Sequence, residues 1–320
     1  MSRLTPAQLR DRFVIAATAK FAGNVPDFVA LQELVAANGG RFLNDHGAIR
    51  TADPALRALF VRAAGVLGLR KELDYRFPAK KLVSFDLQAI GEDSRPFKIF
   101  VSQVDLEAFP PEVAALIAAD CAEQARAVDH GAFVTLIERA EAEGGLSDAD
   151  AEAFVQHFVY KLMHRNGPPM KRSLLEAVAA VSGEAASALA LGPDFNHVTI
   201  DVYSAAFSGI EAMTDAMKAR GFRMLPAIQG APGTLLRQTA TLAATMDTPV
   251  LEADGSTGIA PTEKQFVEII ERNQATNAWG GKLWAQDGAP LIFRNFLAAN
   301  AEKIFDAAST KMPAAAPDRC

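Results

Sequence analysis

Hydrophobic positions along the 320-residue chain repeat at two different periods, and the switches between them divide it. From Thr5 the spacing is helical. Thr5 is a candidate N-cap, Pro6 suits the first helical position, and Gln8 three residues on completes a capping box, so a helix to about Ala22 is expected. A second helix is expected over 27–37, stopping at Gly39-Gly40. The pattern then shortens. His46 to Thr51 reads as a strand, Asp53-Pro54 opens a helix that runs to Leu67 and ends at Gly68, and two period-2 stretches, 81–87 and 97–104, read as strands. The order is β-α-β-β, with room for one more strand.

From Pro110 to about Leu191 there is no strand candidate, only two or three amphipathic helices. Pro110-Pro111-Glu112 starts one, Ser147 with Asp150 starts another, and Asn166-Gly167-Pro168-Pro169 closes it. Strands resume at 196–202, 235–241 and 266–270. Ser208 with Glu211 reads as a capping box for a helix that ends at Gly221. A last helix is expected over 301–308, followed by an Ala/Pro-rich tail, 313–320, expected to be disordered. A strand carrying a histidine, then a helix, a strand and a strand, thus occurs twice about a helical block. This is an internal repeat of pattern, not of identity.

Composition narrows the function. Half the residues are hydrophobic and 22% are charged, which is globular. A net charge of −6 excludes a nucleic-acid or anionic-membrane binder as the default. Two cysteines, Cys121 and Cys320, cannot build a disulfide framework, and no C-x-x-C pair offers a thiolate metal site. No apolar stretch is long enough to span a bilayer, and Met1 to Pro6 lacks the apolar run of a signal peptide, so the cytoplasm is the expected location. Neither a Walker A pattern nor G-x-G-x-x-G is present.

Chemistry must then come from few residues. Of five histidines, His46 and His197 stand at equivalent points, near the start of the first strand of each half. Glu268 lies mid-strand between Val267 and Ile269, so it points away from the face those residues occupy, and if both faces are covered it needs a partner. Two histidines and one carboxylate are the facial triad of non-haem Fe(II) sites. On residues alone the alternative stays open, since a strand histidine is more commonly an ordinary structural residue. Arg50, four residues after His46, shares its face, roughly 13 Å along the strand. It suits bidentate capture of a substrate carboxylate, or else a rim salt bridge.

These residues carry a resemblance. The run Asn44-Asp45-His46-Gly47-Ala48-Ile49-Arg50-Thr51 resembles the signature of the 2-oxoadipate dioxygenase/decarboxylase (2-hydroxyglutarate synthase) family. Phe77-Pro78-Ala79-Lys80-Lys81-Leu82, Phe100-Val101-Ser102-Gln103, Asn196-His197-Val198-Thr199, Leu235-Leu236-Arg237-Gln238-Thr239, 266–272 and 300–305 fit it in order. The resemblance covers about residues 1–310, and this chain is shorter than the long members of the family.

It implies an α+β fold of paired βαβββ modules of vicinal oxygen chelate type, forming a curved central sheet with an inserted helical layer. The divisions are then 1–40 for N-terminal helices, 41–109 for the first module, 110–192 for the helical insertion, 193–275 for the second module and 276–320 for the closing helix and tail. It implies one Fe(II) held by His46, His197 and Glu268, O₂ as co-substrate, and Arg50 on a substrate carboxylate. The reaction it implies is conversion of 2-oxoadipate to 2-hydroxyglutarate and CO₂.

Two other readings stand beside it. One is a non-oxidative glyoxalase-like metalloenzyme on the same scaffold. The other is a non-catalytic protein that binds a small acid. The expected partner in each is a small molecule, and oligomeric state is not set by the sequence.

Several other residues enter as expectations. Gln238 shares a face with Leu236 and Ala240 and is a candidate substrate or ligand hydrogen-bonder, with a structural bond as the alternative. Asn300 is a candidate N-cap of the last helix and hence a carboxylate-binding residue. Asp201 shares the face of His197 without a role. His157 and His164 are read as packing or surface residues on one helical face, His130 as a solvated helical residue, and Trp279 and Trp284 as core rather than lid.

Overall fold

The first turn of the chain follows its local chemistry. Helix α1 (Pro6–Asn24) is closed at its start by Thr5, whose hydroxyl accepts from Gln8 N at 3.3 Å while Gln8 Oε1 accepts from Thr5 N at 2.9 Å. A computed structural model describes residues 3–89, 97–285 and 288–308. The expected disorder of 313–320 lies outside the described residues.

After α2 (Pro26–Ala37) come β1 (Asn44–Thr51), α3 (Pro54–Val66), β2 (Leu69–Phe77), β3 (Leu82–Ala89) and β4 (Lys98–Val104). Asp53 caps α3 through Ala55 N and Leu56 N. In this half β2, β3 and β4 form an antiparallel meander, and β4 returns parallel to β1. The extra strand for which there was room is β2. Its run of Arg, Lys, Glu and Asp hides it from a periodicity reading, and that charge is what an exposed edge strand tolerates.

The helical block holds five helices rather than two or three: α4 (Pro111–Arg126), α5 (Gly131–Glu143), α6 (Asp148–His157), α7 (Arg172–Val181) and α8 (Gly183–Leu191). It also holds a two-residue strand, β5 (Met170–Lys171), where no strand was expected. Residues 158–162 continue α6 as a π-helical turn. The helix ends there and His164 lies in a bend beyond it, so His157 and His164 do not share one helical face.

His157 meets His130 instead. His130 Nδ1 lies 2.8 Å from His157 Nε2, and the His157 ring stacks on Phe133 with centroids 4.5 Å apart. His130 is therefore the half-buried residue that precedes α5, not a solvated helical one. Burial, followed by the neighbouring His130 and Lys161, depresses His157 from its ordinary 6.5 to about 4. Burial depresses His130 as well. A base whose pKa falls on folding binds fewer protons in the native state than in the unfolded chain. Its stabilising contribution is thus whole above about pH 6.5 and is lost as pH falls toward about 4. The urea midpoint of the wild type should drop over that window more than that of His157→Phe, which keeps the stack on Phe133. Parallel midpoints would show that this pair is not linked to folding.

The second half repeats the first. It consists of β6 (Phe195–Asp201), α9 (Ile210–Ala219), β7 (Leu236–Ala240), β8 (Ala244–Leu251) and β9 (Thr257–Arg272). β9 runs parallel to β6 as β4 does to β1, and an antiparallel β1–β6 ladder joins the copies at the centre of the sheet. The sheet is a curved half-barrel.

Two departures have local causes. The stretch expected over 266–270 is only the end of a sixteen-residue strand, because Thr262-Glu263 and Gln265 break the apolar pattern of its first arm. That arm pairs with β8, while β7 pairs with the far end of β9, so β7 and β8 do not form a ladder with each other. The capping box expected from Ser208 and Glu211 does not form. Gly209 stands at the cap, Ile210 N donates to Glu271 Oε2 at 2.8 Å, and Glu211 pairs with Arg237.

Strand alternation sorts the central sheet into two faces. Ile49, Val101, Val198, Ile200, Val267 and Ile269 join Leu9, Phe13, Phe133 and Phe158 in the main core beneath the N-terminal helices. Gly47 also faces this side. A Cβ there would sit 2.5 Å from the Phe195 ring, so the close fit of β1 on β6 requires glycine. The opposite face carries His46, Ala48 and Arg50 on β1, His197 and Thr199 on β6, and Glu268 on β9. A second core of Tyr75, Phe77, Phe100, Leu189, Phe296 and Phe305 borders it. The closing helix, α10 (Ala298–Ile304), and a 3₁₀ turn at Phe305–Ala308 lie over this face. Among the described residues no single helix is long and apolar enough to cross a membrane.

Candidate metal centre

Register brings three separated side chains together. Thr199 is opposite both His46 and Glu268, and His197, two residues before it on the same face, is opposite Ala48, so His46 and Glu268 flank β6 at one level and His197 stands one side-chain step along it. One ligating atom from each lies within 4.8 Å of the other two. Glu268 Oε2 is 3.1 Å from His46 Nε2 and 3.2 Å from His197 Nε2. All three residues are buried. Among the described residues this is the one such group, although larger clefts exist elsewhere, for instance around His164 and Thr248.

A β-bulge supplies the next partner. Two residues of β1, Asp45 and His46, oppose a single step of β6 between Ile200 and Thr199. Asp45, which strict alternation would send to the far face, is thereby turned beside His46, with Oδ2 2.9 Å from Nδ1. The carboxylate accepts from the Nδ1 proton and so, with a metal bound, would fix the tautomer that presents Nε2 to the ion. Burial would raise the Asp45 carboxyl, but Arg272, Lys98 and His46 together hold it well below the usual carboxylate range. Sequence reasoning passed over Asp45. Its signal was an acid adjacent to a candidate ligand in a strand, and the bulge that makes it useful has no sequence mark.

The three candidates differ electrically. Burial disfavours charge on His46, but Glu268 and Asp45 outweigh it and raise its pKa. Burial lowers that of His197 despite Glu268, with His46 and Arg50 adding to the effect, so its imidazole is neutral. Burial alone would raise Glu268, yet the two histidines bring it down to about 2, so it is ionised. His197 Nδ1 is buried without a hydrogen-bond partner, and ring packing against Phe266, centroids 4.7 Å apart, orients it instead. Thr199, also unforeseen, donates its hydroxyl to Glu268 Oε2 at 3.0 Å and lies 3.1 Å from His46 Nε2. It was legible only as the second residue after His197 on a strand.

A pocket with an empty volume of about 270 Å³, counting its open mouth, meets the three side chains. Phe100, Gln238, Phe296, Ala301, Ile304 and Phe305 complete its lining. Gln238 thus reaches the place expected of it. Arg50 is buried beside the pocket rather than on a rim. Its guanidinium lies 5.1 Å over the Phe305 ring, Nη1 donates to the Glu184 carbonyl at 3.2 Å, and Nε has no partner. Burial, only partly offset by Glu184, lowers its pKa to about 10, so it stays charged at neutral pH.

Asn300 is a correction. Leu297 caps α10, and Asn300 lies inside that helix, with its amide donating to the Leu236 carbonyl at 3.1 Å. The helix begins one turn earlier than expected, which moves Asn300 from the cap to the face packed on β7. Trp279 and Trp284 are exposed rather than core, at 91% and 57%. Asp201 shapes the turn after β6, accepting from Tyr203 N and Ser204 N.

The donor set is that of a facial triad. It offers two imidazole nitrogens and one carboxylate oxygen, mutually near enough for one ion, buried and open on one side to a pocket. A family model described as 2-oxoadipate dioxygenase/decarboxylase matches residues 25–287.

The chain belongs to the 2-oxoadipate dioxygenase/decarboxylase family.

It is 25% identical to the 2-oxoadipate dioxygenase/decarboxylase of Mycobacterium bovis, over 94% of this chain and 80% of that one. A putative glyoxalase superfamily protein from Ralstonia eutropha has the same fold, with a TM-score of 0.77 at 23% identity over 85% of each chain. The hydroxyglutarate synthase of Pseudomonas putida, solved with 2-oxoadipate, aligns with a TM-score of 0.70 at 25% identity over 87% of this chain and 67% of that one. The fold is accordingly the α+β, paired-module type that the resemblance implied.

Proposed function

We propose that this chain is an Fe(II)-dependent dioxygenase that converts 2-oxoadipate and O₂ to 2-hydroxyglutarate and CO₂. The observation that carries this reading is the buried His46–His197–Glu268 set at the base of a pocket, in a chain of this family. The three side chains would hold the ion. They fit it in donor type, in mutual distance and in charge: metal binding would displace the proton that Glu268 and Asp45 favour on His46, and two imidazoles with one carboxylate would leave a divalent cation with a net positive charge for an anionic substrate. Bound Fe(II) supplies the redox chemistry with O₂ that no side chain here can perform.

The chain's own residues do the rest. Asp45 keeps the His46 proton on Nδ1, so that Nε2 remains a ligand. Arg50, charged and with Nε unspent, takes a carboxylate of the diacid and so selects a dicarboxylic 2-oxo acid. Gln238 offers an amide to the substrate from the pocket wall. Asn300 acts at one remove, by seating α10 on β7 and thereby placing Ala301 and Ile304 in the lining. Phe100, Phe296 and Phe305 keep water from the reacting atoms.

The test is O₂ uptake by Fe(II)-reconstituted protein given 2-oxoadipate, with products read by mass spectrometry. Uptake matched one-to-one by 2-hydroxyglutarate and CO₂ is expected. Turnover that persists without O₂, on Zn²⁺, Ni²⁺ or Mn²⁺, would replace this reading with that of a non-oxidative metalloenzyme.

A further inference from the structure

Arg272 heads the fully buried large side chains, at 1% exposure. It ends β9, four residues beyond Glu268 and on the same face. Its guanidinium is divided between two tasks. Nε and Nη2 grip Asp45 as a fork, at 2.8 and 2.9 Å. Nη1 donates to three successive carbonyls, those of Phe293, Arg294 and Asn295, at 3.2, 3.1 and 2.9 Å. The same group lies 5.3 Å from the Phe296 ring centroid.

Each task leads to the metal centre by its own route. Asp45 passes on to His46 Nδ1. Phe296, next after the gripped carbonyls, packs edge-on against His46 with centroids 4.8 Å apart and against Phe100 at 5.1 Å, and it walls the pocket. Lys98 also reaches Asp45, at 3.5 Å, so charge near this carboxylate does not depend on Arg272 alone. What Arg272 adds is a planar, two-point hold that a lysine cannot copy.

We propose that Arg272 is a positioning residue. One guanidinium sets both the aim of His46, through Asp45, and the seat of Phe296, through three carbonyls, so that metal affinity and closure of the pocket wall are coupled. The proposal rests on the reading of the site given above.

Four variants separate the two routes: Asp45→Asn, Phe296→Ala, Arg272→Met and Arg272→Lys. Three quantities are read: Co(II) affinity by competition with a chromophoric chelator, the rate of tryptic cleavage after Arg294, and KM and kcat for 2-oxoadipate. Asp45→Asn should weaken Co(II) binding about 10–100-fold and leave cleavage unchanged. Phe296→Ala should leave Co(II) affinity unchanged and raise KM by about tenfold, the loss of one large apolar contact. Arg272→Met should do both, with weaker Co(II) binding and faster cleavage after Arg294. Arg272→Lys keeps a cation beside Asp45 but cannot span the carbonyls. Without the two-point hold on Asp45 it should weaken Co(II) binding, though less than Arg272→Met, while cleavage rises, and it serves if Arg272→Met does not fold. A role confined to packing would lower the melting temperature of folded Arg272 variants and move neither Co(II) affinity nor cleavage. Either of those two remaining at the wild-type value in folded Arg272→Met overturns the proposal, as does unchanged cleavage in Arg272→Lys. Neither measurement needs turnover. A wild type that binds Co(II) yet fails to convert 2-oxoadipate therefore counts against the proposed reaction alone.

Discussion

His46→Ala, His197→Ala and Glu268→Ala should each lose the bound metal and, with it, the reaction. Each removes one of three donors that lie within 4.8 Å of one another, and no other described cluster offers a substitute. The metal's contribution to an oxidative step is several kcal/mol at the least, so activity should fall by at least about 10³-fold. Glu268→Gln is the sharper variant. It keeps the size of the side chain but removes the one negative charge, which the two histidines hold ionised with a pKa near 2. Iron content by elemental analysis, read beside O₂ uptake, checks all four. Full iron occupancy in His46→Ala would sink the ligand assignment whatever became of activity.

Arg50→Ala should separate from these by keeping its iron and losing its substrate. The guanidinium touches none of the three candidate ligands through a hydrogen bond. Its fixed contacts are the Glu184 carbonyl and the Phe305 ring, and Nε is left over. Truncating one partner of a buried charge pair costs about 2–5 kcal/mol, so KM for 2-oxoadipate should rise by about 30-fold or more. Arg50→Lys should fall between, because an ammonium cannot make the two-point contact. A monocarboxylic 2-oxo acid should be a poor substrate for the wild type and should be little affected by the substitution. Unchanged KM in a folded, iron-loaded Arg50→Ala would move the carboxylate contact elsewhere in the pocket.

Both predictions depend on elements whose visibility in the sequence was uneven. β1, β3, β4 and β6 were legible because each is covered on both faces or alternates cleanly, so hydrophobicity itself marks them. β2 and β8 were not. β2 spends its charges on an exposed edge, and β8 contains Asp247 and Pro249 with alternate positions open to solvent. The cap at Thr5 was readable because both partners lie within one helical turn. The cap at Ser208 misled because Glu271, 61 positions beyond Ile210 in the chain, takes the helix N-terminus instead. Asn300 misled for a related reason. α10 is short, and packing on β7 rather than a local cap decides where it begins.

The sequence by itself determined which residues could do chemistry and to which face each belongs. Strand parity alone puts His46 with Arg50, and His197 with Thr199, and turns Glu268 away from Val267 and Ile269. That follows from the fixed period of a strand, which needs no partner to be known. Its run of motifs also carried the family resemblance that the family match bears out. Only the tertiary structure decided that these faces meet. The β1–β6 and β6–β9 registers bring the two histidines and the glutamate within reach of one another, a bulge turns Asp45 onto His46, and the bond from Arg272 to Asp45 spans 227 positions. Register, bulges and long-range ion pairs depend on how strands settle against one another under the whole core. A local pattern of hydrophobic and polar positions holds no record of that.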